Sequence, residues 1–166
     1  RPGYGSTPLA KHQTPRQAAD LIAALLEYLS IGKVIVYGIS AGGLTALAMA
    51  AYHPERVHKI ILASAVTKKW LHPQDQTYKI AQIIFRPGVE KIIWTIVRFF
   101  GRLFPTLIAG SFYPQFSTLP KPKLKKEDVR ELISSMRYYN SGEGFLNDLD
   151  QELDKEALRL IKCPTL

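Results

Sequence analysis

Cysteine and long apolar runs are scarce in this sequence, and each shortage excludes a class of protein. The single cysteine, Cys163, cannot form a disulfide within the chain, and zinc sites built on paired CxxC motifs are excluded. No apolar run reaches the roughly 20 residues of a membrane span, and the most apolar stretch, residues 92–104, is interrupted by two arginines. A single cysteine suits a reducing compartment. We therefore predict a cytoplasmic protein with no metal and no other cofactor.

The positive charge of the chain is concentrated in its middle third. The 166 residues carry a formal net charge of +8, to which residues 1–64 contribute +3, residues 65–126 contribute +9 and residues 127–166 contribute −4. A basic segment with aromatic residues is compatible with a membrane-surface or non-catalytic binding module. Nucleic acid is not expected as a partner, because no recognised binding motif is present.

Apolar patterning predicts alternating helices and strands in the first 64 residues. Thr14 and Pro15 have the form of a helix start, and Gly32 is predicted to end that helix as a left-handed cap. Residues 34–37 are a β-branched apolar run, typical of a parallel strand that is buried on both faces, and residues 57–62 are a second β-branched run. The order helix, strand, helix, strand predicts the α/β class.

From about residue 65 the strand pattern disappears. Helices are predicted near residues 75–85, 89–104, 125–139 and 150–161, with prolines and glycines between them and a basic linker over residues 120–126. In the second helix four residues share one stripe: Lys91, Thr95, Arg98 and Arg102. The rest of that helix is so apolar that we expect it to be covered on most sides.

The motif Gly38-x-Ser40-x-Gly42 lies directly between the first predicted strand and a helix of small residues. It fits the G-x-S-x-G nucleophile elbow. Ser40 is then the candidate nucleophile, and the backbone N–H of Ala41 is a candidate oxyanion donor. Gly38 and Gly42 are expected to lack side chains because strand and helix nearly touch there. The alternative is an ordinary turn in which Ser40 only caps the helix.

A nucleotide-binding turn is a further alternative for the same segment, because glycine-rich turns before helices also bind phosphates. The spacing of Gly38, Ser40 and Gly43 lacks the second glycine of the dinucleotide fingerprint. The next predicted strand also ends without the acidic residue that contacts ribose. Both absences argue against a nucleotide cofactor.

The elbow and its surroundings resemble the α/β-hydrolase fold family. Residues 34–37, Ser40 and residues 57–63 resemble the fifth strand, the nucleophile elbow and the sixth strand of that family. Three further stretches resemble family segments: Arg1-Pro2-Gly3-Tyr4-Gly5-Ser6 the loop after the fourth strand, His53-Pro54-Glu55-Arg56-Val57 the entry to the sixth strand, and Cys163-Pro164-Thr165-Leu166 the start of the seventh.

The resemblance implies an α/β-hydrolase-type, mostly parallel sheet with an inserted helical cap, truncated at both ends. Residues 1–64 would be the central part of the core, residues 65–155 the cap or lid, and residues 156–166 the return to the core. The family's catalytic acid and histidine would fall beyond Leu166, and the second oxyanion donor before Arg1. We therefore expect the isolated 166-residue chain to be inactive.

The resemblance implies a serine hydrolase that forms an acyl-enzyme intermediate on Ser40. A carboxylic ester, or a related acyl substrate with an apolar group, is the predicted substrate. The same fold leaves open amide, thioester, lactone or C–C bond hydrolysis and cofactor-free haloperoxidase chemistry. A small apolar acyl molecule is the expected partner, the membrane surface is the less favoured one, and the oligomeric state is left open.

Residues within the chain offer few substitutes for the missing acid and histidine. His53 and His58 are expected at the surface, at the far end of the sheet from Ser40. His72, with Asp75, is the candidate base if the chain contains one. The acidic residues of segment 148–156 are expected on solvated helix faces, and Cys163 is expected to be a small core residue.

Overall fold

The computed structural model describes residues 1–115, 125–136 and 141–166. The last residues of the helix predicted over 125–139, and most of the predicted linker 120–126, lie outside the described residues. Ten α-helices and β-strands are formed by the described residues: α1 (Pro15–Tyr28), β1 (Val34–Ile39), α2 (Gly43–Tyr52), β2 (Val57–Ala63), α3 (Gln76–Ile84), α4 (Val89–Leu103), α5 (Pro105–Phe112), α6 (Lys126–Ser135), α7 (Gly144–Leu149) and α8 (Lys155–Arg159).

The chain divides into two compact units, Arg1–Gln82 with Gly142–Leu166, and Ile83–Ser141. These boundaries differ from residues 65 and 155, between which the sequence predicted a cap. Segments 65–82 and 142–155 belong to the first unit. The assignment of a cap stays a prediction.

The sheet of the first unit consists of β1 and β2, which run parallel with Ile35 opposite Lys59 and Ile39 opposite Ala63. The end of the chain lies along the other side of β2. Thr165 forms a parallel bridge to Ile60, and the Leu62 N–H donates to the Leu166 carbonyl at 2.8 Å. Since parallel strands are joined by helical crossovers, this pairing is the α/β arrangement that the sequence predicted.

The core of the first unit lies between β2 and the helices α1, α2 and α8. Met49 in α2 and Ile60 in β2 are almost completely buried, and Val57 and Ala157 belong to the same cluster. Nearly the whole of α2 is buried, as its run of alanines allows. Cys163 is half-buried and packs against this cluster.

The expectation that β1 is buried on both faces is wrong for the described chain. Val36 packs against the core, but Ile35, Tyr37 and Ile39 are each more than half exposed. Alternate residues of a strand point to opposite faces. The described helices that contact β1 therefore cover one face of it.

The second unit contains α4, α5 and α6. The carboxylate of Glu90, which is only 4% exposed, accepts hydrogen bonds from the Ser141 N–H and Oγ, both at 2.8 Å, and from the indole N–H of Trp94 at 3.2 Å. Trp94 also stacks on Phe112 of α5. These contacts join α4 to α5 and to the residue that ends the unit.

One expectation about this unit is wrong, and one of its helices was not predicted. The helix that was not predicted is α5, whose first position is Pro105, where the missing N–H of proline costs nothing. Helix α4 was expected to be covered on most sides, yet one apolar stripe of it is exposed by about half or more: Ile92, Ile96, Phe99 and Leu103.

Candidate active site

Ser40 lies at the carboxyl end of β1, in a short 3₁₀ turn over Ser40–Gly42 that leads directly into α2. Its φ of 48° is in the left-handed region, which a non-glycine residue occupies only under strain. The side chain is exposed. The turn is held by the loop after β2, because the Val66 N–H donates to the Ser40 carbonyl at 2.8 Å. This is the strand, strained turn and helix that a nucleophile elbow requires.

Close approach of backbone around the turn requires glycine at two positions. A Cβ built on Gly38 would lie 2.8 Å from the Cβ of Ala46, and one on Gly43 would lie 2.4 Å from the Val66 carbonyl oxygen. At Gly42 a Cβ would meet nothing within 4 Å. The steric reason expected for Gly42 is therefore wrong for the described chain. The crowded glycine is Gly43, because the loop after β2 passes against it.

Ala41 follows Ser40 at the beginning of the 3₁₀ turn, ahead of α2. The first N–H groups of a helix have no acceptor within the helix and point toward its N-terminal end. The N-terminal end also carries the positive end of the helix dipole. This position suits the Ala41 N–H as a donor to an anion that forms at Ser40.

Three polar side chains form a group that contacts the backbone of the turn: Asp148, which is buried, and Arg1 and Tyr4, which are half-buried. The guanidinium of Arg1 donates to both carboxylate oxygens of Asp148, at 2.8 Å to Oδ1, and at 3.2 Å to the carbonyl of Ala41. The Tyr4 hydroxyl donates to Oδ2 of the same carboxylate, and the Arg1 guanidinium lies over the Tyr4 ring. The group connects α7 with the backbone of Ala41.

The expectation that Asp148 lies on a solvated helix face is wrong. Its side chain is only 6% exposed. Burial, followed by the charge of Asp148, raises the pKa of Tyr4 above its ordinary value near 10, although Arg1 acts in the opposite direction. Tyr4 is therefore a hydrogen-bond donor across the ordinary pH range. The partners are 147 and 144 residues apart, so no local pattern indicates them.

The histidines of the chain do not form a catalytic pair with Ser40 in the described contacts. His53 was expected at the surface, but it is half-buried and its Nε2 lies 2.8 Å from Oδ1 of Asp20 in α1. It follows the last residue of α2, whereas Ser40 precedes the first. A helix of this length is about 15 Å long. A general base must reach hydrogen-bond distance, so His53 cannot serve Ser40.

His72 and Asp75 contact each other through the backbone of the histidine. Its N–H donates to Oδ2 of Asp75 at 2.7 Å, which closes a turn before α3. The contact involves the main chain rather than the imidazole ring, so it does not orient the ring as a catalytic base. The candidacy of His72 therefore rests on its position after β2 alone.

Two further properties bear on the class of site. Within residues 1–115, 125–136 and 141–166, no three His, Cys, Asp or Glu side chains are grouped as metal ligands. In the same ranges, no helix combines the length and apolarity that crossing a membrane needs.

The strand, turn and helix around Ser40 agree with the comparison of this chain with known families. The sequence model of the alpha/beta hydrolase fold matches residues 1–158, and the chain belongs to that family. The predicted fold class is confirmed.

Individual relatives add detail to this assignment. An uncharacterized hydrolase of Bacillus subtilis, YcgS, is 42% identical across the whole chain. A poly(3-hydroxyalkanoate) depolymerase of Ectopseudomonas oleovorans is 32% identical over 67% of the chain and 38% of its own length. An alpha/beta hydrolase fold protein from Nakamurella multipartita superposes with a TM-score of 0.64 at 22% identity, over 99% of this chain and 61% of its own. This chain spans 61% of the length of YcgS.

Proposed function

We propose that the protein is a serine hydrolase that cleaves a carboxylic ester with Ser40 as the nucleophile. The observation that carries the proposal is the strained φ of Ser40, which follows β1 directly and begins the 3₁₀ turn that leads into α2. A relative supports an acyl substrate, since the depolymerase of E. oleovorans acts, by its name, on a poly(3-hydroxyalkanoate). We also keep the proposal that helices within segment 65–155, which is rich in Ile and Phe, form a cap that favours an apolar acyl group.

The proposed reaction has two steps. The Ser40 oxygen attacks the acyl carbonyl and loses its proton to a base, and the Ala41 N–H stabilises the oxyanion of the tetrahedral intermediate. Collapse of this intermediate releases the alcohol, which takes the proton, and leaves the acyl group on Ser40. Water then attacks the acyl-enzyme and releases the carboxylic acid. The family resemblance implies a histidine as the base and an acid that orients it.

The role proposed for Arg1 and Asp148 is to position the turn. The Arg1 guanidinium contacts the Ala41 carbonyl, so it restrains the peptide that follows the one bearing the proposed oxyanion donor. Because Asp148 compensates the charge of Arg1, the contact requires no exposed counter-charge. Preorganised donors stabilise an oxyanion without rearranging during the reaction.

Hydrolysis of p-nitrophenyl butyrate by the full-length protein tests the proposal. Ser40→Ala is expected to lower kcat by roughly a thousandfold or more, because the covalent step is lost. Ser64→Ala is the matched control, since Ser64 is also exposed and also has a positive φ, of 45°, and should leave turnover unchanged. Turnover by the Ser40→Ala variant within a few fold of the parent would contradict the proposal.

A further inference from the structure

The second unit contains a cavity of about 640 Å³ between α4, α5 and α6. This volume lies in the range of small-molecule sites, roughly 300–1,000 Å³. All of its lining residues belong to the second unit, and none belongs to the turn around Ser40.

The apolar part of the lining, which we call the floor, consists of Gly101, Val129, Ile133 and Met136 and is closely packed. Gly101 of α4, Val129 of α6 and Met136 are buried, and Ile133 of α6 is half-buried. A Cβ on Gly101 would lie 3.3 Å from Cδ1 of Ile133, so α4 and α6 approach closely at this point. The floor therefore offers an apolar surface that is fixed by helix packing.

Four cations also line the cavity: Arg98, Arg102, Lys126 and Arg130. Arg98 is half-buried and the other three are exposed. None of the four forms an ion pair with another residue in the described parts of the chain. Like charges gathered around one opening repel one another, and an anion placed among them would relieve the repulsion.

The acidic side chains of α6 do not line the cavity. None of the residues that line the cavity is acidic, whereas Glu127 and Glu131 border a separate, more open groove that Arg130 also borders. Only half of the polar stripe of α4 reaches the cavity. Arg98 and Arg102 line it, whereas Lys91 and Thr95 do not. The cavity lining is thus cationic with no acidic residue in it, whereas the acidic residues of the second unit lie outside the lining.

We propose that this cavity binds a small amphiphilic oxyanion, with a carboxylate or phosphate head at the cations and a short apolar chain on the floor. The planar guanidinium groups of Arg98, Arg102 and Arg130 present paired N–H donors that match either head group. The hydroxyls of Thr106 and Ser134, which also line the cavity, supply further donors. A ligand with both an anionic head and an apolar chain contacts the cations and the floor, whereas a ligand with only one of the two contacts only one of these surfaces.

Isothermal titration of the full-length protein with four probes tests this assignment. Hexanoate and hexyl phosphate carry both parts, hexan-1-ol lacks the charge and inorganic phosphate lacks the chain. Hexanoate or hexyl phosphate is expected to bind at least ten times more tightly than both hexan-1-ol and inorganic phosphate. The tighter binder of hexanoate and hexyl phosphate identifies the preferred head group. Equal binding of hexan-1-ol, or no binding of either amphiphile, would overturn the proposal.

Matched variants locate the binding. Arg102→Gln is expected to weaken binding of the preferred amphiphile about tenfold, because one charge-assisted hydrogen bond is lost. Lys91→Gln removes the same charge from the same helix outside the cavity and should change affinity less than twofold. Arg130→Gln, on α6, is an independent second variant, and thermal unfolding checks that each variant is folded. Equal effects of Arg102→Gln and Lys91→Gln would overturn the assignment, as would binding to anionic vesicles without binding of any monomeric amphiphile.

Discussion

Ser40 owes its conformation to contacts on both sides of the turn. Before Ser40 in the chain, β1 ends at Ile39. After it, α2 begins at Gly43, which packs closely against the loop that follows β2. The Ser40 carbonyl accepts hydrogen bonds from both the Gly43 and Val66 N–H groups. A left-handed serine persists only where its surroundings over-determine it. The contacts of Gly43 and Val66 supply that restraint.

Alanine substitutions at Gly42 and Gly43 distinguish the glycine of the G-x-S-x-G motif from the glycine that close packing requires. Gly43→Ala is expected to destabilise the protein by about 1–3 kcal/mol and to lower ester turnover, because its Cβ collides with the Val66 carbonyl. Gly42→Ala places a Cβ in open space at a φ of −73°, so its unfolding free energy should stay within about 0.5 kcal/mol of the parent. Urea denaturation measures both. A larger cost at Gly42 than at Gly43 would contradict the packing described.

Tyr4 gives a prediction about pH. Its pKa is raised above the ordinary value near 10 in the folded protein, chiefly by burial and then by Asp148. Below pH 10 the hydroxyl is protonated in both the folded and the unfolded chain. Above pH 10 the unfolded chain releases the proton while the folded protein retains it, so rising pH favours unfolding.

Urea denaturation from pH 8 to pH 11 is the measurement for Tyr4. The parent is expected to lose more stability above pH 10 than Tyr4→Phe, which has no proton to release. Tyr4→Phe should also be less stable at pH 8 by about 1 kcal/mol, for the lost hydrogen bond to Asp148. Identical pH dependence of the two proteins would show that Tyr4 is not buried as described.

At the scale of elements, the start of α1 follows from local sequence and its end does not. Thr14 accepts a hydrogen bond from the Gln17 N–H, and the Gln17 side chain accepts one from the Thr14 N–H, which forms a capping box at the helix start that the sequence predicts. The predicted cap at Gly32 is wrong. The helix ends at Tyr28, and Ser30 takes the left-handed position with a φ of 55°.

The end of α1 is a Schellman motif with serine in the place that glycine usually occupies. The Ser30 N–H donates to the Glu27 carbonyl at 2.9 Å and the Ile31 N–H to the Leu26 carbonyl at 2.8 Å. Nothing in the spacing of apolar residues separates an end at residue 28 from one at residue 31. The presence of a glycine nearby therefore pointed to the wrong position.

Two substitutions at this helix end test the assignment. Ser30→Gly is expected to stabilise the protein by about 0.5–1 kcal/mol, since glycine adopts positive φ without steric cost. Gly32→Ala is expected to be neutral or slightly stabilising, because Gly32 has no positive φ and its Cβ would meet nothing. Thermal unfolding measures both changes. Destabilisation by Gly32→Ala together with no gain from Ser30→Gly would restore the cap at Gly32.

The extent to which sequence predicts this molecule depends on how far apart the interacting residues are. The elbow, the capping box and both strands are local, and their residues stand within a few positions of one another. The contact of Arg1 with Asp148 spans 147 positions and the bridge of Thr165 to Ile60 spans about a hundred. Periodicity indicates that such residues are polar or apolar. It carries no information about their partners.

At the scale of the whole molecule, the basic charge is unevenly distributed between the two units. The second unit, residues 83–141, contains ten basic and four acidic residues, and so most of the excess of eight. Part of this charge lines the cavity between α4, α5 and α6. The charge is thus partly a feature of one candidate binding site, whereas the proposed nucleophile belongs to the first unit.

Covalent labelling by an alkyl fluorophosphonate tests the central claim, that Ser40 is an activated nucleophile, most directly. Intact-mass analysis of the labelled full-length protein, followed by peptide mapping, locates the adduct. A single phosphonate on Ser40, absent from Ser40→Ala and retained in Ser64→Ala, is the predicted result. Labelling at another serine, or unchanged labelling of Ser40→Ala, would contradict the account.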